Sequence, residues 1–145
     1  MKHEPIFNWD KDAGVASCIL SDGEKVFTGF AQCHPDDRDM SSEKTGCEIA
    51  FRRARISALR GYRDELKTKL KALNQLFYSM NRSYRFNEKS YENKMLQRQI
   101  RQIKFDLDTT KEMIAGEELS LRAYIKSKDV FYTQTRKRRQ KANNH

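Results

Sequence analysis

The chain has 145 residues and a mass of 17.1 kDa, enough for one domain or for a small domain with a helical extension. Only 37% of it is hydrophobic and 34% is charged, a balance poor for a compact globular core but ordinary for long solvated helices with a narrow apolar stripe. A net charge of +9 excludes few functions but points to anionic partners: nucleic acid, nucleotides, phosphates or an acidic protein surface.

The opening "MKHEPIFNWD" lacks the apolar centre of a signal peptide, and no apolar run is long enough for a bilayer. The expected location is therefore cytoplasmic. In a reducing compartment the three cysteines, Cys18, Cys33 and Cys47, are expected as buried thiols.

Residues 4–34 read as strands. "IFNW" is a short one, "DKDAG" is a turn with Gly14 available for positive φ, and "VASCILS" alternates strand formers. "SDGE" supplies an Asp-Gly hairpin turn before "KVFTGFAQCH". The pattern predicts a small antiparallel meander, one face of which must pack on something else.

"PDDRDMSSEKTG" breaks the pattern. Thr45 with Glu48 fits a capping box, and the helix that follows is predicted to run to about Ser79. Its apolar residues are Ile49, Ile56, Leu59, Tyr62, Leu66, Leu70, Leu73, Leu76 and Met80, spaced as in a coiled-coil seam, with Gly61 a weak point. A second helix is predicted from Asn87 or Ser90 to about Arg136. Its seam is Leu96, Ile100, Ile103, Leu107, Ile114, Leu121, Tyr124 and Phe131, with Thr110, Glu117 and Lys128 polar. At ~1.5 Å per residue these helices should be roughly 50 and 70 Å long.

The fold class expected is α+β: a small antiparallel sheet over 1–34, then a long antiparallel helical hairpin over 35–135. Its apolar seams call for a second copy, so a dimer is expected. Residues 136–145, "RKRRQKANNH", read as a basic disordered tail.

Candidate chemistry is sparse. Cys33, His34, Asp36, Asp37 and Cys47 match no common zinc spacing, so no metal site is expected. A Cys-His-Asp catalytic unit is disfavoured because adjacent strand residues such as Cys33 and His34 point to opposite faces. The chain has no P-loop, no G-x-G-x-x-G and no H-E-x-x-H, so no cofactor and no enzymatic activity are expected.

"LFYSMNRSYRFNEKSYENKM" is the informative stretch. Phe77, Tyr78, Tyr84, Phe86 and Tyr91 are many aromatics for a helix junction. They can plug the end of the hairpin, or leave ring faces open for a base. Lys94, Arg98, Arg101 and Lys104 follow on neighbouring parts of one helix face. Aromatics beside cations and amides can supply stacking, phosphate neutralisation and base-edge hydrogen bonds.

With that layout, "AQCHPDDRDMSSEKTGCEIAFRRARI" and "LFYSMNRSYRFNEKSYENKMLQRQI" resemble the first type of Thoeris anti-defence proteins. These are phage sponges that sequester cyclic ADP-ribose isomers in the host cytoplasm. The resemblance implies binding without cleavage, in a pocket between the helices and the sheet of a homodimer. It implies Phe77 as the stacking aromatic and Asn87 as the amide, with Asn81 and Phe86 as close rivals. It implies Arg52 as a phosphate ligand on the first helix, and Arg98, Arg101 or Arg122 on the second. Some members also assemble into hexamers and bind cyclic oligonucleotides. Two other readings stand beside it: a basic coiled-coil nucleic-acid-binding protein that uses its tail and cationic helix face, and an interaction protein that clamps a host factor.

Overall fold

The computed structural model describes residues 4–35, 42–82, 90–128 and 132–133. Its elements in chain order are β1 (Ile6–Asp10), β2 (Val15–Ser21), β3 (Val26–Cys33), α1 (Glu43–Asn81), α2 (Tyr91–Ser127) and β4 (Tyr132–Thr133). The fold is α+β, an antiparallel sheet in the order β1-β2-β3-β4 with two long helices.

Both predicted hairpin turns form. At the first, Asp10 Oδ1 accepts the amides of Asp12 and Ala13 at 3.1 and 3.2 Å, and Gly14 takes φ 64°. At the second, Asp22 Oδ1 accepts the amides of Glu24 and Lys25 at 2.9 and 2.6 Å, and Gly23 takes φ 95°. Short acidic side chains and glycine favour such turns because they offer a local acceptor and a left-handed backbone.

The turns fix the register. Ile19 pairs with Ile6 and Thr28, and Ala16 with Trp9 and Ala31. Alternation therefore places Ala16, Cys18, Leu20, Ala31 and Cys33 on one face, all buried. Ile6, Ile19, Val26 and Phe30 fall on the other face, exposed.

Two compact units divide the chain: Met1–Ala58 with Ala115–His145, and Leu59–Ile114. In the first, α1 lies on the buried face of the sheet through Ile49, Ala50 and Ala54. The contact is backbone to backbone. A Cβ built at Gly29 would overlap the carbonyl oxygen of Ala50 and the amide nitrogen of Ala54. One turn earlier, Gly46 leaves room for the Trp9 ring, which would stand 2.9 Å from a Cβ there.

The start of α1 differs from the expected capping box. Ser42 is the cap: its Oγ accepts the amide of Thr45 at 3.3 Å, and its carbonyl accepts the amide of Gly46 at 2.8 Å. Glu48 instead pairs with Arg52 one turn on. The start of α2 is capped in the same way, with Ser90 Oγ accepting the amide of Asn93 at 3.1 Å.

The end of α2 is a correction. The helix stops at Ser127, not near Arg136, and Tyr132–Thr133 pair with Cys33 and Gln32 as a fourth strand. The 3-4 rhythm of Tyr124, Lys128 and Phe131 carried the helix too far. A two-residue strand that pairs with a partner a hundred residues away leaves no local period. Tyr132 also reaches α1, where its hydroxyl accepts the Ser42 amide at 3.3 Å. With 39 and 37 residues, α1 and α2 are about 58 and 55 Å long. The basic tail over 136–145 lies outside the described residues.

Near the sheet the helices are antiparallel. Arg52 Nη1 donates to Ser120 Oγ at 3.0 Å and Arg55 Nη2 to Glu117 Oε1 at 3.0 Å, so three residues forward on α1 match three back on α2. In the second unit, Leu66, Leu96, Ile100, Leu107 and Ile114 are buried. There the α1 seam runs Leu59, Leu66, Leu70, Leu73, Phe77, Met80, all at least half-buried. Tyr62 and Leu76, expected in the seam, stand 47% and 48% exposed. Spacings of 3 then 4 and of 4 then 3 both satisfy a heptad, and after Leu73 the helix uses the second. The α2 seam keeps the expected rhythm and extends back to Asn93, which is fully buried beside Leu96. Thr110 is buried in the same seam, with its hydroxyl donating to the Asp106 carbonyl at 2.7 Å.

Candidate functional site

In the sheet-bearing unit, Arg52 is held on three sides. Its Nε contacts Glu48 Oε1 at 2.9 Å, its Nη1 donates to Ser120, and its guanidinium lies 4.9 Å from the centre of the Tyr124 ring. Lys128 Nζ lies 5.1 Å from the centre of the same ring. Tyr124 thus gathers two cations by their attraction to its π-face. Arg55 stacks near Phe51 and pairs with Glu117. Arg122 is exposed and turns to its own helix, donating weakly to the Glu118 carbonyl at 3.4 Å. The structure therefore joins Arg52 to Tyr124 and Lys128, while Arg122 bonds elsewhere.

Arg53 was not anticipated. It donates from Nη1 to the Phe30 carbonyl at 2.8 Å and from Nη2 to the Tyr132 carbonyl at 3.3 Å. Burial pulls its pKa down to about 10, because the charged form loses hydration. The guanidinium covers the edge of β3 just beyond the short β4, where carbonyls would otherwise be open. "FRRAR" gives one signal for it: an arginine between the core residues Ala50 and Ala54 must turn aside from the sheet or satisfy it.

The thiols are core groups. Cys18 and Cys33 are buried and Cys47 is half-buried. Burial, with a smaller effect of Cys47, pushes the Cys18 thiol up to about 11. Cys47 is raised by burial and then by Glu43. High thiol pKa values disfavour the thiolate and with it nucleophilic chemistry. Among the described residues no group of three or more His, Cys, Asp or Glu is placed to hold a metal ion. Asp36 and Asp37 lie outside them.

In the second unit, Phe77 is half-buried at the α1 seam, while Arg98 and Arg101 are exposed on α2. Phe77 points inward with Leu73 and Met80 rather than outward with Tyr78. Asn81, the last residue of α1, is exposed. Asn87 and Phe86 lie outside the described residues, as does Tyr84. At the start of α2, buried Asn93 accepts from Gln97 Nε2 through its Oδ1 at 2.7 Å. A polar amide carries no apolar period, so the expected seam begins at Leu96 and leaves Asn93 out.

Among the described residues no helix is long and apolar enough to cross a membrane. In the sheet-bearing unit, the start of α1 packs on one face of a small antiparallel sheet. Compared with known protein families, curated proteins and solved structures, the chain matches none significantly.

Proposed function

We propose that the chain is a phage anti-defence protein that binds a cyclic ADP-ribose-type signal in the host cytoplasm and withholds it without degrading it. One observation carries the reading. The first fifteen residues of α2, 91–105, have four cations (Lys94, Arg98, Arg101 and Lys104) against Glu92 alone, in the same compact unit as the inward-facing Phe77. A nucleotide with a pyrophosphate needs such positive charge, and a base needs an aromatic face. The resemblance of "LFYSMNRSYRFNEKSYENKMLQRQI" to the sponge family supports the same ligand class.

The reading takes the protein as a homodimer. Phe105 and Met113 stand 67% and 51% exposed on α2, apolar surface that a second copy could cover. Sequestration needs affinity without turnover, which preorganised cations and an aromatic can provide. Calorimetric titration of the purified protein with cyclic ADP-ribose isomers tests the reading. Binding of at least one isomer below micromolar is expected, and no binding of any isomer at micromolar levels contradicts it.

A further inference from the structure

The flank of α1 beyond the seam carries a feature that the sponge reading does not use. Lys67, Lys71, Asn74, Tyr78 and Arg82 are spaced by 4, 3, 4 and 4 residues, so they climb one side of the helix. All five are exposed, while Leu66, Leu70, Leu73 and Phe77 turn toward the seam. Lys67, Leu70, Lys71, Asn74, Gln75 and Tyr78 line a shallow open groove of about 440 Å3. From Leu66 to Arg82 the chain has four cations and no acidic residue.

Tyr78 is 61% exposed, yet it is held in place. Arg82 Nη2 donates to its hydroxyl at 2.7 Å, and the guanidinium lies 4.6 Å from the ring centre. An exposed ring that is already oriented loses little entropy when a base stacks on it.

We propose that this flank is a docking track for single-stranded nucleic acid. Lys67 and Lys71 are one turn apart, about 6 Å along the axis, and can neutralise neighbouring phosphates of an extended strand. Asn74 and Gln75 present amides that can meet base edges, and Tyr78 provides a stacking platform backed by Arg82. Paired bases cannot reach the ring, so a duplex is the poorer ligand. An acidic protein is also poorer, because the flank offers only Tyr78 as an exposed apolar anchor. The proposal is independent of the sponge reading: none of its residues belongs to the cyclic ADP-ribose set.

Fluorescence anisotropy of the full-length protein with labelled oligothymidylate, across a salt series, tests it. The wild-type protein should bind, and Lys67→Glu with Lys71→Glu should cost at least about tenfold. The double variant should also flatten the plot of log affinity against log salt by about 1.4, the contribution of two phosphates. Tyr78→Ala should cost about tenfold, the loss of one stacked base. Thermal melts and cyclic ADP-ribose titration should be unchanged in these variants. The track is overturned if the wild type does not bind, if either variant binds as tightly as wild type, or if a matched duplex competes equally. Loss of cyclic ADP-ribose binding alone, in the wild type, removes the sponge reading and leaves the track standing.

Discussion

Gly29 of β3 and Ala50 of α1 meet without a side chain between them: the space for a Cβ at Gly29 is filled by the Ala50 carbonyl. The helix can lie this close to the sheet because its facing residues are Gly46, Ala50 and Ala54. Gly29→Ala must therefore move backbone, not a flexible side-chain tip. Overpacking of this kind should cost about 3 kcal/mol or more. Chemical denaturation should show the loss directly.

Gly116 is the contrasting case. It sits inside α2, and a Cβ there would meet nothing within 4 Å. Gly116→Ala should stabilise the protein by about 1 kcal/mol through helix propensity alone. The same substitution thus has opposite signs at two positions, and paired melting curves check both.

Tyr132 links three elements: it pairs with Cys33, its carbonyl accepts from Arg53, and its hydroxyl accepts the Ser42 amide. Tyr132→Phe should cost about 1 kcal/mol, one hydrogen bond at a helix cap. Tyr132→Ala should cost about 3 to 5 kcal/mol, because it also empties a buried site. In denaturation experiments, no loss on Tyr132→Phe would contradict the bonding described for the hydroxyl, and equal losses for the two substitutions would contradict the packing of its ring.

The Cys18 thiol has its pKa raised from 9.0 to about 11. The unfolded chain then loses this proton at lower pH than the folded one. Stability from the protonated thiol is complete below pH 9 and is lost as pH rises toward 11. Cys47 and Tyr132 are shifted in the same direction, chiefly by burial. Cys18→Ser, whose hydroxyl does not titrate in this range, should flatten the decline in melting temperature over that window, even if its starting stability is lower.

Much of the fold was legible. The Asp-Gly turn, the strand alternation and the heptad rhythm each leave a local signal, and the elements lie where those signals do, except that α2 stops at Ser127, short of the rhythm's end. What was not legible is non-local. β4 is too short to have a period, and the Phe77 or Leu76 choice is degenerate until the partner helix is in place. Gly29 did carry a signal, since a glycine inside a strand often marks close backbone approach. Of the candidate site, the sequence identified cations and aromatics but not their partners. Arg52 could not be seen to be engaged by Glu48, Ser120 and Tyr124, because two of those lie about seventy residues away.

The position of Phe77 changes what its substitution should do. Phe77→Arg places a charge in a half-buried seam, so melting temperature and ligand affinity should fall together. Arg98→Glu with Arg101→Glu should separate the two effects, since both residues are exposed. Placing like charges near a pyrophosphate at an effective dielectric near 20 should cost roughly a thousandfold in affinity. Melting should barely move. Unchanged calorimetric titration of this double variant would remove Arg98 and Arg101 from the binding site.

Sequestration without degradation requires that a cyclic ADP-ribose-type nucleotide be held and released unaltered. Its most direct test is to purify the protein from cells that make the signal, denature it by heat, and analyse the released fraction by mass spectrometry. Sequestration predicts a cyclic ADP-ribose isomer, intact and near one per binding site. Recovery of no nucleotide, or only of a linear hydrolysis product, would contradict it.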